Sequence, residues 1–225
     1  MTTRIVIGDD HPLVQAALQS ALSAVLPDLE IIPCQSLDEV LAAVPGRIEE
    51  IDLILLDLTM PGIQGFAALF VLLAQFPTVP VAIISARQDA ATIRRAIAYG
   101  ASGYIPKSLG LPAMADAITR ILGGEIWMPP NIGGRGSIQS EDVELAARAA
   151  SLSPQQLRIL AMIVEGRLNK QIAAEIGIAE QTVKGHVSTI LRKLGVGSRT
   201  QAAVLAERLA FGSARGVSSP AEREG

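Results

Sequence analysis

With 225 residues, 49% of them apolar, this chain has material for a packed core and too little polarity for global disorder. Cys34 is the only cysteine, which excludes an intramolecular disulfide and a multi-cysteine zinc site and suits a reducing compartment. The net charge of −3 is unevenly spread: residues 1–128 carry 7 Lys/Arg against 13 Asp/Glu, and residues 151–211 carry 8 against 4. An acidic front and a basic back point to two domains with different partners, the second of the sign that attracts nucleic acid.

The start, Met1-Thr-Thr-Arg-Ile-Val-Ile, runs straight into strand-like sequence without an apolar signal region or cleavage motif. No apolar run approaches the ~20 residues that span a bilayer. The expectation is a cytoplasmic chain without a membrane partner. Strands are predicted at 4–8, 30–34, 52–56, 80–84 and 102–105, and helices at 12–25, 37–44, 64–75, 89–99 and 111–122. The third and fourth strands are continuous Val, Ile and Leu, as strands buried on both faces should be. Alternating strands and helices imply a five-stranded parallel sheet covered by helices on both faces. Gly100 is placed to end a helix.

Residues 126–150 break the pattern. Pro129-Pro130, Gly133-Gly134 and Gly136 are linker chemistry, with 142–150 as a helical extension. Residues 151–211 read as helices only. Ser153 is a predicted N-cap with Pro154 at the first helical position, and Gly166 and Gly177 are predicted stops. The tail, 212–225, is Gly, Ser, Ala and charge, and is expected to be disordered.

Three acids fall at strand ends. Asp9 and Asp10 follow the first strand, and Asp57 ends the run Asp52-Leu-Ile-Leu-Leu-Asp57 before the turn Leu-Thr-Met-Pro-Gly62. In a doubly wound sheet of flavodoxin-like order, the first and third strands flank the point where strand order reverses, and ligands bind there. Converging carboxylates repel one another unless a cation neutralises them, and hard oxygen ligands favour Mg²⁺. The plainer alternative is that these acids cap loops and helices. Ser85 after the fourth strand and Lys107 after the fifth open onto the same rim, where a hydroxyl and an ammonium can hold phosphoryl oxygens. Singly, each also reads as a turn residue or a solvated charge.

With Asp9-Asp10, Asp57 in Asp-Leu-Thr-Met-Pro-Gly, Ser85 and Lys107 in place, residues 1–125 resemble the receiver domain of bacterial response regulators, a flavodoxin-like (CheY-like) fold. The resemblance implies that Asp57 is the phosphoacceptor. Asp10, Asp57 and the carbonyl of Thr59 would bind Mg²⁺, with Asp9 assisting through water. Lys107 would pair with the phosphoryl group, and Ser85 and Tyr104 would change position together. Two departures are Ser108 after Lys107, where many receivers have proline, and Pro106 before it.

Residues 166–194 read as two helices joined by a Gly-containing turn, the second able to enter a DNA major groove. A helical bundle with a solvated basic face is the plainer alternative. Gly166-x-x-Asn169-Lys170-x-Ile172-Ala173, Thr182-Val183-Lys184-x-His186-Val187 and Leu191-Arg-Lys-Leu194 followed by Arg199-Thr200-x-Ala202 make residues 151–211 resemble the four-helix LuxR-type DNA-binding domain. Together with the receiver, the chain resembles the NarL/FixJ subfamily. Position then gives Lys184 and Ser188 to the groove, and Asn169, Lys170, Thr182, Arg192 and Lys193 to phosphates. Gly185 departs from the pattern, because the family often has a base-reaching side chain there. Gln155-Gln156 replaces a common Arg-Glu. The final helix, with Ala203 and Val204, would pair two DNA-bound copies.

The expectation is a transcriptional regulator that takes a phosphoryl group on Asp57 from a sensor histidine kinase and binds double-stranded DNA as a homodimer. At most slow self-dephosphorylation is expected of it as an enzyme. The resemblance and the flexible linker imply that the unphosphorylated receiver covers the recognition helix, and that phosphorylation releases it or dimerises the chain. Two rivals differ in class. A phosphatase with an Asp nucleophile usually carries a second Asp two residues on, where this chain has Thr59. A ligand-sensing LuxR regulator would have an aromatic-lined sensor, and aromatics are only 3% here.

Overall fold

The computed structural model describes residues 2–60, 65–132 and 140–211. The first part alternates β1 (Thr3–Gly8), α1 (Pro12–Ser23), β2 (Leu29–Cys34), α2 (Leu37–Ala43), β3 (Leu53–Asp57), α3 (Phe66–Gln75), β4 (Val81–Ser85), α4 (Ala90–Ala98), β5 (Gly103–Pro106) and α5 (Leu111–Leu122). The strands form one parallel sheet in the order β2-β1-β3-β4-β5. Order therefore reverses between β1 and β3, as expected.

Side chains alternate across the sheet with period two. Ile5, Ile7, Leu53, Leu55, Ala82 and Ile84 pack with α1 and α5. Val6, Ile54, Leu56, Val81 and Ile83 pack with α2, α3 and α4. Every residue of β3 and β4 is buried, which is why these strands read as unbroken apolar runs. Both outer strands contain a proline, Pro33 in β2 and Pro106 in β5, at positions where a sheet edge tolerates a missing N–H. Trp127 bridges to Gly103 beside β5, with Tyr104 N donating to Trp127 O at 2.9 Å. The segment read as linker thus begins with a residue tied to the sheet. Gly103 has no room for a side chain there: an added Cβ would lie 2.4 Å from Ile121 Cδ1.

A short 3₁₀ turn (Pro130–Ile132) and α6 (Ser140–Ala150) lead to α7 (Pro154–Val164), α8 (Asn169–Ile176), α9 (Glu180–Leu194) and α10 (Arg199–Phe211). Ser153 caps α7 as expected, and Gln156 completes a reciprocal capping box, with Ser153 N donating to Gln156 Oε1 at 3.0 Å. Gly177 ends α8 at φ 70°, a left-handed conformation that suits glycine. The expectations for Pro61-Gly62, for Gly133, Gly134 and Gly136, and for the tail 212–225 lie outside the described residues.

The two parts share one apolar cluster. Leu157, Leu160, Ile163, Ile172, Val183, Ile190, Leu194 and Ala202 join the α2–α3–α4 layer because α7 and α10 pack on α3. Arg158 on α7 pairs with Asp38 on α2, Nη2 to Oδ1 at 2.9 Å.

Candidate functional site

The carboxyl ends of β1, β3, β4 and β5 bring five of the expected residues together: Asp9, Asp10, Asp57, Ser85 and Lys107. Lys107 Nζ lies 2.8 Å from Asp57 Oδ2 and 2.7 Å from Asp9 Oδ2, and both carboxylate side chains are 0% exposed. The pairing follows from the fold: Lys107 comes directly after β5, and its N–H donates to Ser85 O at 2.7 Å, fixing it beside the end of β4. Burial opposes the Lys107 charge, but the hydrogen bonds it donates to Asp57 and Asp9 outweigh it and raise its pKa.

Asp57 is held further by Thr59, whose Oγ1 donates to Asp57 Oδ2 at 2.8 Å and whose N donates to Oδ1 at 3.3 Å. Asp9 Oδ1 accepts from His11 N at 2.9 Å, so this acid also fixes the turn into α1. Asp10 is half-buried and reaches His11 Nδ1 at 2.7 Å. Ligand atoms of Asp9, Asp10, His11 and Asp57 lie within 4.8 Å of one another. The donors around Asp57 are mostly carboxylate oxygens, and a single ammonium cannot neutralise three acids. The set therefore fits a hard divalent cation.

Ser85 is fully buried, and its Oγ accepts from Arg87 N at 3.3 Å. Tyr104 is also fully buried, and its hydroxyl donates to Arg87 O at 2.9 Å. Burial pushes the Tyr104 phenol up to about 12.

Two residues near the acids were not singled out from sequence. His11 follows Asp9-Asp10 directly, and that adjacency was the available signal. Gln15 gave none. Its buried Nε2 donates to Asp9 O at 2.8 Å and Cys34 O at 2.9 Å, tying the ends of β1 and β2.

In the helical part, α8 and α9 meet across the Gly177 turn. Lys184, Ser188 and Arg192 are all exposed and, four residues apart, share one face of α9. Lys184 Nζ pairs with Glu180 Oε1 at 3.1 Å, and Ser188 Oγ donates to Lys184 O at 3.1 Å. Lys170 and Thr182 are exposed as well. Lys193 is different: its Nζ donates to Ser151 O at 2.6 Å and Gln156 Oε1 at 3.1 Å, inside the domain. Asn169 Oδ1 accepts from Arg199 Nη1 at 3.0 Å. An added Cβ at Gly185 would meet nothing within 4 Å. On α10, Ala203 is half-buried and Val204 is 55% exposed.

The expectation that the receiver covers the recognition helix is not met. Helix α9 packs on α6, α7, α8 and α10, while the receiver meets α6, α7 and α10. The physical reason is the apolar surface of α3, which draws the apolar sides of α7 and α10 rather than the charged face of α9.

Residues 5–119 match the response regulator receiver domain, and residues 150–206 match the luxR family of bacterial regulatory proteins. The glycerol metabolism activator of Pseudomonas putida is 42% identical over 215 residues, covering 92% of this chain and 96% of that protein. The chain belongs to the response regulators with a LuxR-type DNA-binding domain.

A second relative, the transcriptional regulatory protein LiaR of Bacillus subtilis (strain 168), is 33% identical over 206 residues, covering 91% of this chain and 97% of LiaR. Among solved structures, RcsB from Salmonella enterica serovar Typhimurium, bound to a promoter with a phosphomimetic, has a TM-score of 0.53 at 18% identity. It covers 92% of this chain and 98% of RcsB, a likeness of fold. Members of this family regulate transcription and are not classical enzymes. Among the described residues no helix is long and apolar enough to cross a membrane.

Proposed function

We propose that this response regulator accepts a phosphoryl group on Asp57 from a sensor histidine kinase, and that this modification controls its binding to promoter DNA. The supporting observation is the Asp57–Lys107–Asp9 cluster at the point where strand order reverses. A carboxylate oxygen of Asp57 attacks phosphorus, the P–N bond of the donor phosphohistidine breaks, and the imidazole leaves as the acyl phosphate forms. Lys107 stays beside the incoming oxygens and offsets their charge. Asp10, Asp57 and the carbonyl of Thr59 would hold Mg²⁺, with Asp9 assisting through water. When bound, Mg²⁺ would neutralise the transferring group and support slow hydrolysis of the acyl phosphate.

Ser85 and Tyr104 form the switch beside the phosphoryl group. The receiver spans 1–125, the linker 126–150 and the DNA-binding domain 151–211. Lys184 reaches into the groove toward a guanine edge or a phosphate, and Ser188 lies one turn later on the same face. Lys170, Thr182 and Arg192 contact phosphates, with Asn169 and Lys193 setting the domain that presents them. Helix α10, through Ala203 and Val204, pairs two copies on a two-fold site in the cytoplasm. The name of the Pseudomonas putida relative makes activation the first output to measure.

Incubation with acetyl phosphate and Mg²⁺, followed by mass spectrometry, should place one phosphoryl group on Asp57. DNA footprinting on the same sample should show tighter, two-fold-symmetric protection. Phosphate on another residue, or none, refutes the proposal.

A further inference from the structure

Helix α9 turns a definite side to solvent. Val183, Ile190 and Leu194 are fully buried and mark the side that packs inside the domain. At roughly 100° of rotation per residue, the side opposite them carries Gln181, Gly185, Ser188 and Arg192, with Lys184 at its margin. All five are exposed.

The middle of that side has little to offer a base. Gly185 has no side chain, and the space where a Cβ would stand is open. Ser188 is short, and its hydroxyl donates inward to Lys184 O at 3.1 Å. Thr189 Oγ1 is likewise turned to Gly185 O, at 3.0 Å. The long side chains stand in the first turn. Lys184 Nζ reaches back to Glu180 Oε1 at 3.1 Å, which directs it toward the N-terminus of α9 and the level of Gln181.

Gln181 differs from other glutamines of the domain. Gln171 Oε1 accepts from Leu168 N at 2.7 Å, and Gln201 Oε1 accepts from Gly197 N at 2.9 Å, so both hold helix starts. Among the described residues no hydrogen bond engages the Gln181 amide, which faces solvent. Its chemistry is also distinct within the turn. Glu180 carries acceptors alone and Lys184 donors alone, whereas the Gln181 amide carries both. Adenine shows the major groove one donor, N6–H, beside one acceptor, N7, and a glutamine amide matches that pair. The N-terminal residues of a groove-entering helix are the ones that meet base edges.

Resting on α9 as the groove-entering helix of the proposed function, we infer that Gln181 sets the sequence preference of this protein by reading an adenine. Nε2 donates to adenine N7, and Oε1 accepts from adenine N6–H. The second turn of α9, with Gly185 and the inward hydroxyl of Ser188, adds no base preference. The ligand is duplex DNA with adenine at a fixed place in each half-site.

The test selects sites from a pool of randomised DNA duplexes with the full-length protein at low salt. The wild type should enrich adenine at one position of each half-site by about tenfold over the other bases. Gln181→Ala should level that position and leave the rest of the motif in place. Gln181→Glu should move the preference there to cytosine, whose N4 amine donates to a carboxylate. Ser188→Ala should select the wild-type motif. A side chain that merely supported the helix would weaken binding without changing a base. An unchanged motif from Gln181→Ala or Gln181→Glu, or an altered base preference from Ser188→Ala, overturns the inference and leaves DNA binding standing. Failure of the wild type to enrich any site overturns both.

Discussion

Lys107 Nζ sits between Asp57 and Asp9, 2.8 Å from one carboxylate and 2.7 Å from the other, and so closes a buried acid pair with one positive charge. Removing the ammonium leaves two desolvated carboxylates facing each other. Lys107→Gln should cost about 3 kcal/mol of stability. Added Mg²⁺ should raise the melting temperature of the variant more than that of the wild type, because the cation takes over the neutralisation. Differential scanning calorimetry with and without Mg²⁺ checks both; an equal Mg²⁺ effect on the two proteins would count against the shared site.

Alkaline pH should unfold the protein earlier than its acids alone would suggest. The Lys107 pKa is raised from 10.5 by its two acid partners. Its stabilisation is complete below about pH 10.5 and is lost as pH rises through the folded value. Tyr104, pushed up from 10.0 to about 12 by burial, acts in the same direction between those values, with at most about 3 kcal/mol at stake. Tyr104→Phe should flatten the stability profile above pH 10. It should also lose about 1 kcal/mol at neutral pH with the bond to Arg87 O. Urea melts across pH 7–12 measure the two slopes.

Gly185→Ala should stabilise α9. Glycine inside a helix costs ~1 kcal/mol relative to alanine, and the new methyl group would meet nothing within 4 Å. A rise in the midpoint of chemical denaturation is expected; a fall would mean that the open space beside Gly185 is filled.

Lys184 and Lys193 should fail in different ways. Lys184→Ala should reduce the salt dependence of DNA binding by about one unit of slope, with little change in stability. Lys193→Ala removes the bonds to Ser151 O and Gln156 Oε1. It should destabilise the helical domain by about 1–3 kcal/mol and leave the salt slope nearly unchanged. Fluorescence anisotropy titrations at several salt concentrations, beside thermal melts, separate the two roles.

The strand ends that carry Asp9, Asp57, Ser85 and Lys107 were legible because each follows a short apolar run whose length fixes where it stops. Strand and helix limits fell within a few residues for the same reason. The place of α7 and α10 was not legible. The apolar excess of α3 is visible in Phe66-Ala-Ala-Leu-Phe-Val-Leu-Leu, but a pattern shows only that a face avoids water. It does not show which segment will cover it, and Arg158 meets Asp38 across 120 residues of chain. The internal role of Lys193 was hidden similarly: helical spacing sets it off the Lys184–Ser188–Arg192 face but says nothing of the Ser151 carbonyl.

The prolines in the two outermost strands have a consequence for life in a crowded cell. An open β-sheet border with free N–H groups invites a neighbouring molecule to extend it, and growth of that kind does not stop at two. Pro33 and Pro106, with Trp127 laid beside β5, blunt both borders. Any pairing of two copies would thereby fall to helical surfaces, where it ends at a countable assembly and can be reversed.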